Sequence, residues 1–152
     1  MTDFEPRDPD FERKVRDSFA RQRVMSTLGA TLTRVAPGLV EITLPHRVDL
    51  TQQHGYLHAG IAGTIADSAG GYAGFSLMPP GSTVLSVEYR VHLLAPARGE
   101  RFVARGRVVK PGRTLTVCEL EVEVIEGERR TRCVIGTQTL ICLPEAADRP
   151  AG

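Results

Sequence analysis

Two polar side chains stand out within one run of small and apolar residues. Residues 52–77 read QQHGYLHAGIAGTIADSAGGYAGFSL, and His58 and Asp67 are the polar residues that distinguish this run. A carboxylate held among apolar neighbours can act as a general base or as a nucleophile. The alternative is a structural carboxylate that caps a backbone group or pairs with another side chain. The spacing alone leaves both interpretations open.

The same run predicts a long helix that would carry these side chains. Its larger apolar residues recur at steps of three and four, which predicts an amphipathic helix from about His58 to about Leu77. Helix propensity opposes this prediction, because each glycine costs roughly 1 kcal/mol relative to alanine inside a helix. Tertiary packing must therefore hold the helix, and its slimness lets a sheet and a second copy of the helix approach closely. The glycines concerned are Gly60, Gly63, Gly70, Gly71 and Gly74.

The remaining predicted elements are one helix before this run and six strands around it. Phe11, Val15 and Phe19 lie at helical spacing within residues 8–26, and Gly29 follows as a helix terminator. Short turns between consecutive strands favour an antiparallel sheet, so we expect an α+β fold with one sheet wrapped around one helix. Alternating apolar residues and turn signals, with a hairpin at Pro37-Gly38, place the strands at 31–35, 39–44, 86–93, 102–109, 114–125 and 132–143.

A change of parity interrupts the alternation within residues 114–125. Leu115 and Val117 fall on one parity, and the apolar residues from Leu120 onward fall on the other. Such a change predicts a β-bulge near Cys118.

Composition and charge exclude several classes of function. The 152 residues suffice for one domain with a substantial core, and the formal net charge of +1 gives no field that would gather nucleic acid or an anionic membrane. The first residues, MTDFEPRDPDFERK, lack the apolar core of a signal peptide. With three cysteines in strand-like runs, this favours reduced thiols in the cytoplasm. Neither the cysteines nor His54 and His92 have the spacing of a metal site, so no metal is expected.

Several short motifs, by their order and spacing, resemble one known family. They are GYLHAG at 55–60 followed by Asp67, LSVEY at 85–89, LAPA at 94–97 with Gly99, and KPGR at 110–113. Together they resemble the hotdog-fold acyl-CoA thioesterases of the PaaI-like, phenylacetic-acid-degradation type. The resemblance implies the hotdog fold, an antiparallel β-sheet wrapped around one long central helix. The chain would comprise an N-terminal helical extension at 1–28, a thioesterase domain at 29–144 and a polar tail at 145–152.

The resemblance also implies roles for residues around the helix start. Such enzymes hydrolyse an acyl-CoA without a cofactor, CoA being part of the substrate, and polarise the thioester carbonyl with a backbone N–H at the start of the helix. That position is Ala59, followed by Gly60, where the family usually has two glycines, and alanine retains the N–H. Asp67 would be the base or the nucleophile, and His58 would fix the loop or the helix start.

Four further residues take supporting roles by the same resemblance. Gln52, six residues before His58, would donate to the thioester carbonyl or position water, and Ser86 would orient the water or the acid. Lys110 and Arg113, in a predicted turn, are candidates for the phosphates of coenzyme A. The alternative for this pair is that they are solvated turn charges.

The geometry of a helix predicts that the site needs two chains. Eight residues separate Ala59 from Asp67, which is about 12 Å along the axis and too far for both to touch one carbonyl. Two antiparallel copies of the helix would bring them together, and the resemblance implies the same arrangement. We therefore expect a homodimer with two composite sites, and a homotetramer of two such dimers is left open.

Three functions remain as hypotheses from the sequence. The first is an acyl-CoA thioesterase acting on an aryl or medium-chain acyl thioester. The second, a hydratase or dehydratase on the same fold, would need His58 and Asp67 to converge on the substrate. The third is a noncatalytic acyl-CoA binding or sensing protein, which would keep the pocket and the dimer without needing Asp67.

Overall fold

The computed structural model describes residues 4–144, so the predicted tail at 145–152 lies outside the described residues. Within them the chain forms three α-helices, a short 3-10 helix at Val48–Leu50 and six β-strands. The helices are α1 (Phe11–Arg21), α2 (Arg23–Leu28) and α3 (Ala59–Phe75). The strands are β1 (Thr31–Ala36), β2 (Leu39–Pro45), β3 (Ser82–Leu93), β4 (Arg101–Lys110), β5 (Leu115–Glu126) and β6 (Arg129–Pro144).

The six strands form one antiparallel sheet in the order β1-β2-β4-β5-β6-β3. The predicted hairpin is confirmed, because β1 pairs with β2 across the turn at Pro37-Gly38. Helix α3 packs against one face of the sheet, where it contacts β2 to β6. The expected α+β architecture, a sheet around one long helix, is therefore confirmed. The chain must cross from β2 through α3 to β3, which leaves β3 at an edge of the sheet.

Glycine on the sheet allows α3 to lie directly on the strands. A Cβ at Gly106 in β4 would be 2.3 Å from the backbone nitrogen of Gly70 and 2.4 Å from the carbonyl oxygen of Ala69. Only the absence of a side chain lets the backbones of α3 and β4 come so close. This packing compensates for the poor helix propensity of the glycine-rich segment, as the sequence required. The observed bounds of α3 differ from the predicted ones by one residue at the start and two at the end.

The predicted N-terminal helix is instead two helices. Gln22 has φ −79° and ψ 92°, which interrupts the helix between α1 and α2. The side chain of Gln22 accepts a hydrogen bond of 3.0 Å from Ser68 Oγ on α3. This long-range contact accompanies the break and could not be predicted from local spacing. Gly29, with φ 73°, ends α2 as predicted.

The predicted bulge near Cys118 lies on a neighbouring strand. Strand β5 alternates regularly from Leu115 to Val124, with Thr116, Cys118 and Leu120 all buried, so the prediction of a bulge in β5 near Cys118 is wrong. The extra residue is Val109 of β4, between residues that pair with Cys118 and Val117. The apolar Leu115 and Val117 simply face away from α3. Apolar residues on the outer face of a sheet are common enough to mislead a parity argument.

The length and hydrophobicity of the helices in residues 4–144 bear on whether a helix of this chain could span a membrane. None of them is both long and apolar enough to cross a bilayer. The polar Asp67 in the middle of α3 agrees with this finding.

Candidate active site

The Asp67 carboxylate is held by two side chains from neighbouring strands. Ser86 Oγ of β3 donates to Asp67 Oδ1 at 2.6 Å, and Gln138 Nε2 of β6 donates to the same oxygen at 2.6 Å. Within residues 4–144 no hydrogen bond is made to the other oxygen, Oδ2. The structure therefore brings Asp67 and Ser86 together, and it leaves one carboxylate oxygen for another partner.

Gln138 belongs to this cluster, although the sequence analysis did not single it out. It is only 1% exposed and lies on the same buried parity of β6 as Leu140. Its Nε2 also donates to Ser86 Oγ at 2.9 Å and to the Asp67 carbonyl oxygen at 3.1 Å. The available signal was a long polar side chain on the inward parity of an otherwise apolar strand. That signal could not name Asp67 as the partner, because the register between β6, β3 and α3 was unknown.

The start of α3 presents one unpaired backbone N–H. His58 is the N-cap residue, and its Nδ1 accepts a hydrogen bond of 2.9 Å from the Gly60 N–H. The Gly60 N–H is thereby occupied, whereas the Ala59 N–H makes no hydrogen bond among the described residues. A helix N-terminus carries partial positive charge and unsatisfied N–H groups. Ala59 is thus the residue at which an incoming oxygen would find a donor.

Gln52 lies in the loop that leads to this helix start. Its backbone N–H donates to the Tyr56 carbonyl oxygen at 2.9 Å, and its side-chain Oε1 accepts a hydrogen bond from the His54 N–H. The adjacent Thr51 forms an isolated bridge with Leu57, which closes the loop just before His58. These contacts position the Gln52 side chain through its oxygen. Its Nε2 remains a donor that makes no hydrogen bond among the described residues.

A groove of about 610 Å³ opens beside the Asp67 carboxylate. It lies between α1, α3 and the beginning of β3, so the first N-terminal helix does more than extend the chain. Its lining includes aromatic rings and several polar groups. Representative residues are Ser18 and Lys14 from α1, Asp67, Tyr72 and Phe75 from α3, and Ser86 from β3.

The two candidate phosphate ligands lie elsewhere on the surface. Lys110 ends β4 and Arg113 lies in the turn before β5, and both are exposed. Neither lines the groove beside Asp67. The structure therefore does not bring either of them to the carboxylate.

Two of the three thiols, Cys118 and Cys133, are poorly suited to chemistry. Burial raises the pKa of Cys118 to about 12 and the pKa of Cys133 to about 11. Because the thiolate is the reactive form, both are inert near neutral pH. In residues 4–144 no three His, Cys, Asp or Glu side chains lie where they could hold a metal ion.

The two halves of the predicted site are separate within one chain. Ala59 and Asp67 occupy the same straight helix, about 12 Å apart along its axis. Near the helix, the long edge strand β3 exposes Leu85, Val87 and Tyr89. A single chain therefore does not bring the free N–H and the carboxylate to one point.

Comparison with known proteins identifies the family. The family model described as "Thioesterase superfamily" matches residues 54–131, which is just over half of the chain and includes Ala59 and Asp67. The chain belongs to the thioesterase superfamily. This match confirms the hotdog fold and the predicted class of enzyme, a thioester hydrolase.

Individual relatives agree with the family match. A crystal structure of a thioesterase family protein from Silicibacter pomeroyi superposes with a TM-score of 0.87 at 51% identity, over 88% of this chain and 98% of that one. The proofreading thioesterase EntH of Klebsiella pneumoniae is 27% identical over 117 residues, 77% of this chain and 85% of that protein. The Escherichia coli PaaI protein, from the phenylacetic acid degradation operon, shares the fold with a TM-score of 0.78 at 16% identity, over 87% and 92% of the two chains. The resemblance to the PaaI-like proteins is thereby confirmed.

Proposed function

We propose that this protein hydrolyses an acyl-CoA thioester to the free acid and CoA. The observation that carries the proposal is the Asp67 carboxylate beside the open groove, fixed through Oδ1 and unoccupied at Oδ2. A base that is held in place while one oxygen stays available is suited to take a proton from water. Membership of the thioesterase superfamily supplies the class of reaction.

The proposed reaction uses the start and the middle of α3. Water attacks the thioester carbonyl carbon while Asp67 Oδ2 accepts its proton, and the carbonyl oxygen becomes negative. The Ala59 N–H donates to that oxygen, with Gln52 Nε2 as a second donor. When the intermediate collapses, the carbon–sulfur bond breaks and the proton held by Asp67 passes to the CoA sulfur. Direct attack by Oδ2 is the other route open to the same geometry: it expels the CoA thiolate and forms a mixed anhydride with Asp67, which water then hydrolyses. Attack of labelled water on the Asp67 carbonyl carbon of that anhydride would leave ¹⁸O in Asp67 after a single turnover, which general-base catalysis does not.

The site requires a homodimer in this proposal. Strand β3 is a sheet edge of 12 residues with exposed apolar side chains, and such an edge needs a partner to avoid aggregation. A second copy of β3 pairing antiparallel would extend the sheet and would place two α3 helices antiparallel beside each other. Ala59 of one chain would then approach Asp67 of the other.

The proposed acyl group is an aryl or medium-chain group, and the size of the groove supports this choice. Its volume of about 610 Å³ exceeds what a short acyl chain needs and suits an aryl or medium-chain group, and Tyr72 and Phe75 provide apolar contact. Lys110 and Arg113 are proposed to bind the CoA phosphates, because both are exposed cations without a partner among the described residues. Replacing both by Ala should raise KM for CoA substrates and leave KM for short non-CoA thioesters unchanged.

A thiol-release assay tests the proposed function. We expect wild type to turn over at least one member of a panel of short, medium, long and aromatic acyl-CoAs, and Asp67→Asn to lose activity by a factor of about 10³ or more. The Asp67→Asn variant should keep its acyl-CoA affinity and its oligomeric state. Turnover retained in Asp67→Asn would reject the role of the acid, and binding without turnover by wild type would favour an acyl-CoA sensing protein.

A further inference from the structure

The orientation of the Gln138 amide follows from its neighbours. Its Nε2 meets three acceptors, namely Asp67 Oδ1, the Asp67 carbonyl oxygen and Ser86 Oγ. The reversed amide would place Oε1 against the carboxylate and the carbonyl oxygen, which would repel it. Only the orientation with Nε2 toward Asp67 satisfies the cluster.

The other end of the amide has no hydrogen-bond partner. Gln138 Oε1 is buried and is the one such side-chain atom found unsatisfied among the described residues. An unsatisfied buried carbonyl costs roughly 1–3 kcal/mol, and a leucine of similar volume would avoid that cost. A polar group retained at this position against its own stability points to a use for its donor end. That donor end serves Asp67.

Helix α3 is shaped to accept the Gln138 side chain. A Cβ at Gly70 would lie 2.0 Å from Gln138 Oε1 and 2.4 Å from Leu120 Cδ2. Gly70 is about one helical turn after Asp67. Because Gly70 has no side chain, the Gln138 amide fits between α3 and the sheet and reaches the Asp67 carboxylate. The hydrogen bonds from Gln138 on the sheet to Asp67 and Ser86 therefore depend on the absence of a side chain at Gly70.

We propose that Gln138 is a positioning residue for hydrolysis, which holds Asp67 Oδ1 and Ser86 Oγ so that Asp67 Oδ2 faces the substrate. The inference rests on the proposed role of Asp67. Gln138 itself does not touch the substrate, because it is almost completely buried beneath α3. Its Nε2 donates to the carboxylate from β6, and Ser86 Oγ donates to the same oxygen from β3. Misplacing a catalytic group by about 1 Å costs roughly 100-fold in rate.

The decisive variants are Gln138→Leu, which removes the donor, and Gln138→Glu, which keeps the shape. We expect Gln138→Leu to lower kcat by about 10- to 100-fold with KM changed less than about 3-fold. The carboxyl introduced by Gln138→Glu donates when protonated and repels Asp67 when ionised, so its activity relative to wild type should fall as pH rises. The control is Thr139→Val, which changes the next residue of β6 on the opposite parity and should retain wild-type kcat.

Melting temperatures measured in parallel separate positioning from folding. A Gln138→Leu variant that melts at or above the wild-type temperature yet loses kcat supports positioning, and one that keeps kcat within twofold overturns it. A pH profile of Gln138→Glu parallel to that of wild type would also overturn it. In Asp67→Asn, adding Gln138→Leu should cause no further loss, because both changes act on one group. Turnover retained by Asp67→Asn alone would instead reject the role of Asp67, and binding without turnover by wild type would reject the proposed function, so these failures are distinguishable from that of Gln138.

Discussion

At the scale of single residues, the free Ala59 N–H distinguishes two interpretations of the start of α3, as an oxyanion donor or as a purely structural helix start. If it donates to the oxyanion, its removal should abolish the reaction, whereas a purely structural start should tolerate the change. Proline is accepted at the first position of a helix, and the preceding His58 already has φ −60° and ψ 133°, the extended conformation that a following proline requires.

We therefore predict that Ala59→Pro loses about 10²- to 10³-fold in kcat with little change in the free energy of unfolding. Ala59→Gly, which restores the residue usual in the family, retains the N–H and should stay active. Both are measured by thiol release and by urea unfolding. An Ala59→Pro enzyme as active as wild type would show that another group stabilises the oxyanion.

The cysteines give a second prediction at this scale. At pH 8, a pKa of about 12 leaves roughly one Cys118 in 10⁴ as thiolate, and the Cys133 pKa of about 11 leaves about one in 10³. We expect a thiol reagent to label the half-buried Cys142 in the folded protein and all three cysteines only in denaturant, as mapped by mass spectrometry. Because these pKa values are raised, labelling of folded Cys118 should be slow at pH 8 and should keep rising with pH up to the raised pKa of about 12. Rapid labelling of Cys118 at pH 8 would contradict its assignment as a packing residue.

Sequence reasoning succeeded for residues whose neighbours are close along the chain. His58 and Ala59 were placed at a helix start because the loop and the helix pattern meet there, and α3 does begin at Ala59. Gln138 was missed because its partners lie 52 and 71 residues away and depend on strand register. The same holds for elements, since the break at Gln22 depends on Ser68 of another helix.

At the scale of elements, α1 is attached to the core by a charged side chain. Lys14 Nζ lies 3.1 Å from Asp8 Oδ2, donates to the Met78 carbonyl oxygen at 2.9 Å, and stands 4.7 Å above the Phe75 ring. Asp8 is itself buried and accepts a hydrogen bond from the Asp10 N–H. This arrangement fixes the helix that forms one wall of the groove.

We predict that Asp8→Asn lowers the free energy of unfolding by about 1–3 kcal/mol at pH 7. The Lys14 ammonium then loses its charged partner and keeps the neutral Met78 carbonyl oxygen. Burial alone would raise the pKa of Asp8, but the Asp10 N–H and Lys14 outweigh it and hold the pKa below its ordinary value. A lowered pKa gives stability that is complete above the unfolded-state value near 4 and is lost as pH falls through the folded value. The difference between wild type and Asp8→Asn in chemical unfolding should therefore shrink below about pH 4. The exposed pair Arg16–Glu12 is the control, and Glu12→Gln should change stability by less than about 0.5 kcal/mol.

At the scale of the whole molecule, the edge strand and the divided site are two consequences of one topology. The crossover through α3 puts β3 at the sheet edge, which exposes the apolar side chains of β3. The same helix carries the Ala59 N–H and the Asp67 carboxylate at different positions along its axis. Strand order could not be predicted from the sequence, because every neighbour of β3 in space is distant along the chain. Both features are resolved together if two copies pair through β3.

Mixing two inactive variants tests this arrangement directly. In an isologous dimer of Ala59→Pro with Asp67→Asn, one composite site receives both defects and the other receives neither. Random pairing makes half of the dimers mixed, each with one intact site of two, so co-expression should recover about a quarter of wild-type activity. Sites contained within single chains would recover none, because every chain carries one defect. The control is a mixture of Asp67→Asn with Ser86→Ala, whose residues belong to one cluster of one chain, so every site of a mixed dimer keeps one defect and co-expression should recover no activity beyond that of the separate variants. No recovery in the first mixture, with mixed dimers shown to be present, would place the helix start and the acid of each site in the same chain.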